Sequence, residues 1–80
     1  MNNEIVLNES DLEELLLGCG ILIDPDAKDA EIPMNSVMFI SMIVELENQY
    51  GIQIPDDRLL YKYWKTFNLI AENVRQLLEE

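Results

Sequence analysis

The run Asn35-Ser36-Val37-Met38-Phe39-Ile40-Ser41-Met42-Ile43-Val44-Glu45-Leu46-Glu47-Asn48-Gln49-Tyr50-Gly51 decides the fold class. From Ser36 to Tyr50 no proline or glycine interrupts it. Phe39, Ile40, Ile43, Leu46, Glu47 and Tyr50 recur at three- and four-residue intervals, the repeat of a helix with one buried face. All of these except Glu47 are expected in the core. At ~1.5 Å per residue the helix is roughly 22 Å long. Gly51 stands where a glycine commonly ends a helix, and Asn35 and Ser36 are equally good residues to begin one.

Upstream, Ser10-Asp11-Leu12-Glu13 has the form of a capping box and precedes Leu12, Leu15, Leu16 and Cys19 on one helical face. Gly18 and Gly20 end that helix. Ile5, Val6 and Leu7 either extend it backwards through residues 3–8 or form a separate extended arm. Residues 21–35 hold two prolines and four acids and read as a long loop with Ile32 as its anchor. Downstream, Ile52 and Ile54 flank Gln53 in an extended link. Pro55-Asp56-Asp57 opens a brief helix through about Tyr63. Thr66 is placed to cap a last helix whose buried stripe is Ile70, Val74, Leu77 and Leu78. The expected architecture is all-α over residues 1–80 as one domain, with three long helices, one short helix and a long first loop.

Composition narrows the function. A chain of 80 residues buries only about 60% of its unfolded surface, too little to enclose a roomy catalytic cleft. No histidine is present, which excludes a Ser-His-Asp triad and a His-based zinc site. The one cysteine, Cys19, has no partner for an internal disulfide and fits a reducing, cytoplasmic setting. It falls on the apolar face of the first helix, where a thiol is inert packing. No apolar run approaches the ~20 residues of a membrane span. Asn8-Glu9-Ser10 is a glycosylation sequon, but nothing else points to secretion. Asp24, Asp26, Asp29 and Glu31 lack the glycine and final glutamate of a calcium loop and read as a solvated acidic loop. Neither a catalytic nor a metal site is expected.

Sixteen acids against five bases leave a net charge of −11, which argues against nucleic acid and anionic membrane as partners. Residues 1–57 carry 13 acids and one base, Lys28, for −12, while residues 58–80 carry three acids and four bases, for +1. Attraction to basic partners and simple solubility account for this equally well.

From Asn35 to Asp56 the chain resembles the acyl carrier and peptidyl carrier proteins. Leu46-Glu47, Tyr50-Gly51-Ile52 and Ile54-Pro55-Asp56 stand at the family's spacing from Ser36. The resemblance extends over about residues 12–78. It implies a small four-helix carrier bundle with 4′-phosphopantetheine joined to Ser36 by a transferase that uses coenzyme A. The implied role is a discrete acyl carrier protein. It would bring acyl or aminoacyl thioesters to enzymes of fatty acid, polyketide, peptide or related biosynthesis. Its implied partners are the transferase, a loading ligase and downstream enzymes, met by a monomer. The transferase would supply base and metal, so the missing histidine is no obstacle. A serine in the first turn of a helix also suits a phosphodiester, because free N–H groups and the helix dipole favour an anion there.

The departures are specific. Asn35 replaces the usual aspartate, and Val37 replaces leucine. Met38, Ser41, Val44 and Asn48 occupy places where carriers often have acids. With Asn35, Val37 and Glu45 they form an expected partner-binding face, apolar in character. Glu45 and Glu47 would steer the approach to basic enzymes. Packing of Met34, Met38 and Met42 against the loop and last helix is an equally weighted alternative. The segment Asp56–Asn68, with Trp64 before the Thr66 cap, looks more like the stand-alone aminoacyl and D-alanyl carriers, and like peptidyl carriers, than like fatty-acid carriers. A tryptophan plugging a small bundle leaves little room for a long acyl chain. The rival reading from a different class is an unmodified acidic interaction module, either a degenerate carrier or a mimic of nucleic-acid charge.

Overall fold

The computed structural model describes residues 7–79. Three α-helices, α1 (Glu9–Gly18), α2 (Ser36–Tyr50) and α3 (Phe67–Leu78), are joined with two single-turn 3-10 segments, Asp56–Arg58 and Tyr61–Tyr63. No strand occurs among the described residues. Helix α2 packs against both α1 and α3, and α3 also packs on the second 3-10 turn.

Helix α1 begins one residue before the expected box. Asn8 is its cap and accepts from the Ser10 amide at 2.9 Å, so Ser10 lies inside the helix. Asparagine caps as well as serine, and the earlier start places Glu9 and Asp11 in the first turn, where the dipole favours acids. Leu7 and Asn8 are not helical, so the helix does not run back through them; residues 3–6 lie outside the described part. At the other end the Cys19, Gly20 and Ile21 amides turn back onto the Leu16 and Leu17 carbonyls. Gly20 makes this reversal at φ +82, a left-handed conformation that side chains disfavour. The reversal drives Ile21 into the core, an anchor that loop composition did not reveal.

Helix α2 buries Met42, Ile43, Leu46 and Tyr50 and ends at Gly51 with φ +64. One expectation fails here. Ile40 is 56% exposed, while Met42 is fully buried. At about 100° per residue, Met42 lies beside Leu46, and Ile40 lies on the flank of Val44 and Glu47. The Tyr50 hydroxyl is buried with no partner among the described residues, and burial pushes its pKa up, so it stays a neutral phenol.

The short helix expected through Tyr63 is instead two separate turns. Trp64 is fully buried, and its indole N–H donates to the Arg58 carbonyl at 2.6 Å. An uninterrupted α-helix would commit that carbonyl to the amide four residues on. Leu60 is extended between the turns, at φ −124 and ψ 133. Thr66 then caps α3, accepting from the Leu69 amide at 3.0 Å. Ile70, Val74 and Leu77 are buried as expected and Leu78 partly so, but Phe67, Ala71 and Asn73 join them. Asn73 donates to the carbonyls of Tyr63 (2.7 Å) and Leu69 (3.0 Å) and accepts from Arg58 (3.0 Å). Its amide thereby ties α3 to both 3-10 turns.

The long loop is pinned rather than loose. Lys28 reaches the Glu9 carboxylate at 2.8 Å, lies 5.3 Å from the centre of the Phe67 ring, and its carbonyl accepts from the Asn68 amide. Arg75 meets the same carboxylate at 3.2 Å. The hydrogen bond from Lys28, then that from Arg75, holds Glu9 below its ordinary value of 4.5, and Glu9 in turn raises Lys28 above 10.5. A lowered carboxylate pKa gives stability that is complete above the unfolded value and disappears as pH falls through the folded one. The raised Lys28 contributes fully below its ordinary value and is lost as pH rises through the folded one. Thermal melts of wild type and Glu9→Gln should therefore differ by a constant, small amount near neutrality. The difference should vanish at acid pH and shrink in high salt, because these groups are exposed. A difference that persists in strong acid would show that the carboxylate charge is not what pins the loop.

Candidate functional site

Asn35 and Ser36 divide the work that either could do. Asn35 is the cap of α2: its side-chain oxygen accepts from the Met38 amide at 2.8 Å, and its carbonyl accepts from the Phe39 amide at 3.0 Å. Ser36 is the first helical residue and is exposed, and its hydroxyl has no hydrogen-bond partner among the described residues. The Ser36 and Val37 amides, the two donors at the helix start that Asn35 does not take up, are left for an external acceptor. No acid stands in the first turn of α2, although the surrounding two thirds of the chain is strongly negative. A phosphodiester on Ser36 Oγ would thus sit at the positive end of a 15-residue helix, beside free amides and without a neighbouring carboxylate in that turn. The residues fit such a group.

The face leading away from Ser36 is apolar. Val37 is 73% exposed and Val44 45%, and Ile40 joins them on the ridge. Of the other expected members, Asn48 and Glu45 are exposed, whereas Met38 and Ser41 are half-buried. Met38 and Met34 pack against the core and Met42 lies within it, so the packing alternative holds for the methionines. Ile40 is the member that periodicity misplaced. Glu47 does not point outward as a steering charge. It is half-buried and accepts from the Ile54 amide at 3.0 Å, which closes the turn around Gly51.

Cys19 is the C-cap of α1 and packs, partly buried, against the core. It lies half-buried in a groove between α1 and α2 with Glu14, Ser41, Glu45 and Gln49. Burial pushes its thiol up, and the negative Glu45 adds to this, so it is kept as an unreactive thiol. Among the described residues no three His, Cys, Asp or Glu side chains converge to hold a metal. No helix among them is long and apolar enough to cross a membrane.

Comparison with known proteins agrees with this geometry. A family model described as "Phosphopantetheine attachment site" matches residues 8–74, from the α1 cap into α3. The D-alanyl carrier protein of Streptococcus sanguinis (strain SK36) is 34% identical over 67 residues, covering 82% of this chain and 84% of the relative. That of Streptococcus gordonii is 36% identical over 56 residues, with 70% of each chain covered. That of Streptococcus uberis is 37% identical over 54 residues, covering 68% of this chain and 67% of the relative. No solved structure matches the chain.

Proposed function

This chain belongs to the phosphopantetheine-attachment family of carrier proteins, and from that premise we propose that Ser36 bears the arm and that the cargo is an aminoacyl group, D-alanine foremost. The exposed Ser36 hydroxyl, freed by the Asn35 cap, is the observation that carries the first part. In the modification step the Ser36 Oγ–P bond forms as the pyrophosphate P–O bond of coenzyme A breaks, adenosine 3′,5′-bisphosphate leaves, and the Oγ proton passes to a base of the transferase. Once attached, the group supplies a long flexible arm ending in a thiol that holds the cargo. The chain itself does no chemistry. It orients the arm, keeps its own thiol on Cys19 inert, and raises the effective concentration of cargo at each enzyme.

The relatives' names support the D-alanyl cargo, and so does the interior. Trp64, Phe67 and Met42 are each buried to within about 1%. They fill the space between the helices where a long acyl chain would have to enter. Partner enzymes (the transferase, a loading ligase and the downstream acceptor) would meet Asn35, Val37, Ile40, Val44, Glu45 and Asn48. Contact there rests more on apolar burial than on acid steering. In this reading the protein works as a cytoplasmic monomer that meets one enzyme at a time.

Loading tests the cargo. The phosphopantetheinylated protein is offered D-alanine, ATP and a D-alanine-activating ligase, and in parallel a long-chain fatty acid with its own ligase. The expected result is an intact-mass gain of one alanyl group, removable by hydroxylamine and absent from protein lacking the arm. Gain with the fatty acid alone would overturn the assignment.

A further inference from the structure

Four residues before Ser36 the loop is held at a single residue by three contacts. Ile32 buries its side chain, donates its N–H to the Lys65 carbonyl at 2.6 Å, and accepts from the Tyr61 hydroxyl at 2.5 Å. Tyr61 belongs to the second 3-10 turn, which is itself fastened to α3 through Asn73 and the Tyr63 carbonyl. Between Ile32 and Ser36 the chain has little freedom left. Pro33 fixes its own φ and favours extended backbone at Ile32, Met34 leans on the core, and Asn35 is committed to the cap. Burial, then the nearby Glu31 charge, pushes the Tyr61 pKa up, so the hydroxyl remains a donor throughout the neutral range.

We propose that Tyr61 is a positioning residue for the modification of Ser36: its hydroxyl fixes the entry to α2 against the second 3-10 turn, so that the transferase meets Ser36 in one pose. This rests on Ser36 being the attachment residue. Tyr61 takes no part in bond making; it removes alternative loop conformations before the enzyme binds, which lowers the ordering cost of docking.

The test compares Tyr61→Phe with Tyr63→Phe, a neighbour in the same turn whose hydroxyl does not touch the loop. Each is assayed with coenzyme A, magnesium and a broad-specificity phosphopantetheinyl transferase, and each by amide hydrogen exchange without the enzyme. Tyr61→Phe should melt within about 8 °C of wild type. Its hydrogen-bonded amides at the helix entry, Ile32, Met38 and Phe39, should exchange about three- to tenfold faster, the size of one lost hydrogen bond. Its KM as transferase substrate should rise by a similar factor with kcat nearly unchanged. Tyr63→Phe should match wild type throughout.

Unchanged KM and exchange in Tyr61→Phe, or an equal defect in Tyr63→Phe, overturns the assignment. So does faster exchange spread evenly over α1 and α3, which would make Tyr61 a general structural group. A wild-type protein that accepts no phosphopantetheine removes the reading of Ser36 itself. That outcome is distinct from a modified wild type whose Tyr61→Phe variant reacts identically.

Discussion

Ser36→Ala should abolish phosphopantetheinylation while leaving the fold intact. Intact-mass spectrometry after incubation with coenzyme A, magnesium and transferase would show one phosphopantetheinyl addition on wild type and none on the variant. The structure makes the control unusually clean. Were Ser36 the helix cap, its removal would cost about 0.5–2 kcal/mol and loss of modification would be confounded with unfolding. Asn35 holds that role, accepting from the Met38 amide, and alanine has a high intrinsic helix propensity. The Ser36→Ala melting temperature should therefore stay within a few degrees of wild type, about the shift that 0.5 kcal/mol produces in a domain this size. Asn35→Asp supplies the complementary result. Aspartate keeps the cap, complements the helix dipole, and is the residue that the resemblance to acyl carriers implies beside the serine, so modification should become faster. Modification of Ser36→Ala at the wild-type rate would move the attachment elsewhere.

The largest stability loss should come from Trp64→Ala. Trp64 is the one tryptophan and is fully buried among both 3-10 turns and the helices. Truncating a buried tryptophan costs about 3–5 kcal/mol. A chain of 80 residues has a total stability of about 4–12 kcal/mol, so the variant would sit near or below the folding threshold. Thermal and urea melts followed by circular dichroism should show a midpoint lower by about 15–30 °C, or no cooperative transition. Trp64→Phe separates packing from hydrogen bonding. It retains most of the apolar volume but leaves the Arg58 carbonyl without its 2.6 Å indole partner, a loss of about 1–3 kcal/mol. Near-equal loss in the two variants would mean that the indole hydrogen bond, rather than the ring volume, fixes this corner.

How much could be read in advance differs from element to element. The span of α2, its stop at Gly51, the Thr66 cap and the burial of Ile70, Val74 and Leu77 follow from short-range rules: helical repeat, backbone freedom and local capping. So does Ser36 at a helix start, and the spacing from it to Ile54-Pro55-Asp56 pointed to the carrier family that the comparison found. Periodicity alone was too coarse for Ile40 against Met42, because residues at the edge of an apolar stripe are assigned by what packs across from them. The broken short helix needed knowledge of where the Trp64 indole finds an acceptor. Of the loop's order only the Ile32 anchor was legible, since Lys28 acquires partners 19 and 39 residues away only after α1 and α3 have come together.

The boundary between the two kinds of knowledge is therefore one of range. Local chemistry along residues 35–51 determined that a helix begins beside an available serine and ends at a glycine. Tertiary structure decided that Asn35 alone caps it, that Ile40 faces solvent in an apolar ridge, and that Glu47 spends its charge on the Ile54 amide. It also decided that Ile32 is bracketed by Tyr61 and Lys65 just ahead of the site. The Ile32 contacts depend on groups far apart in the chain coming within about 3 Å, and that distance is set by packing rather than by order in the chain.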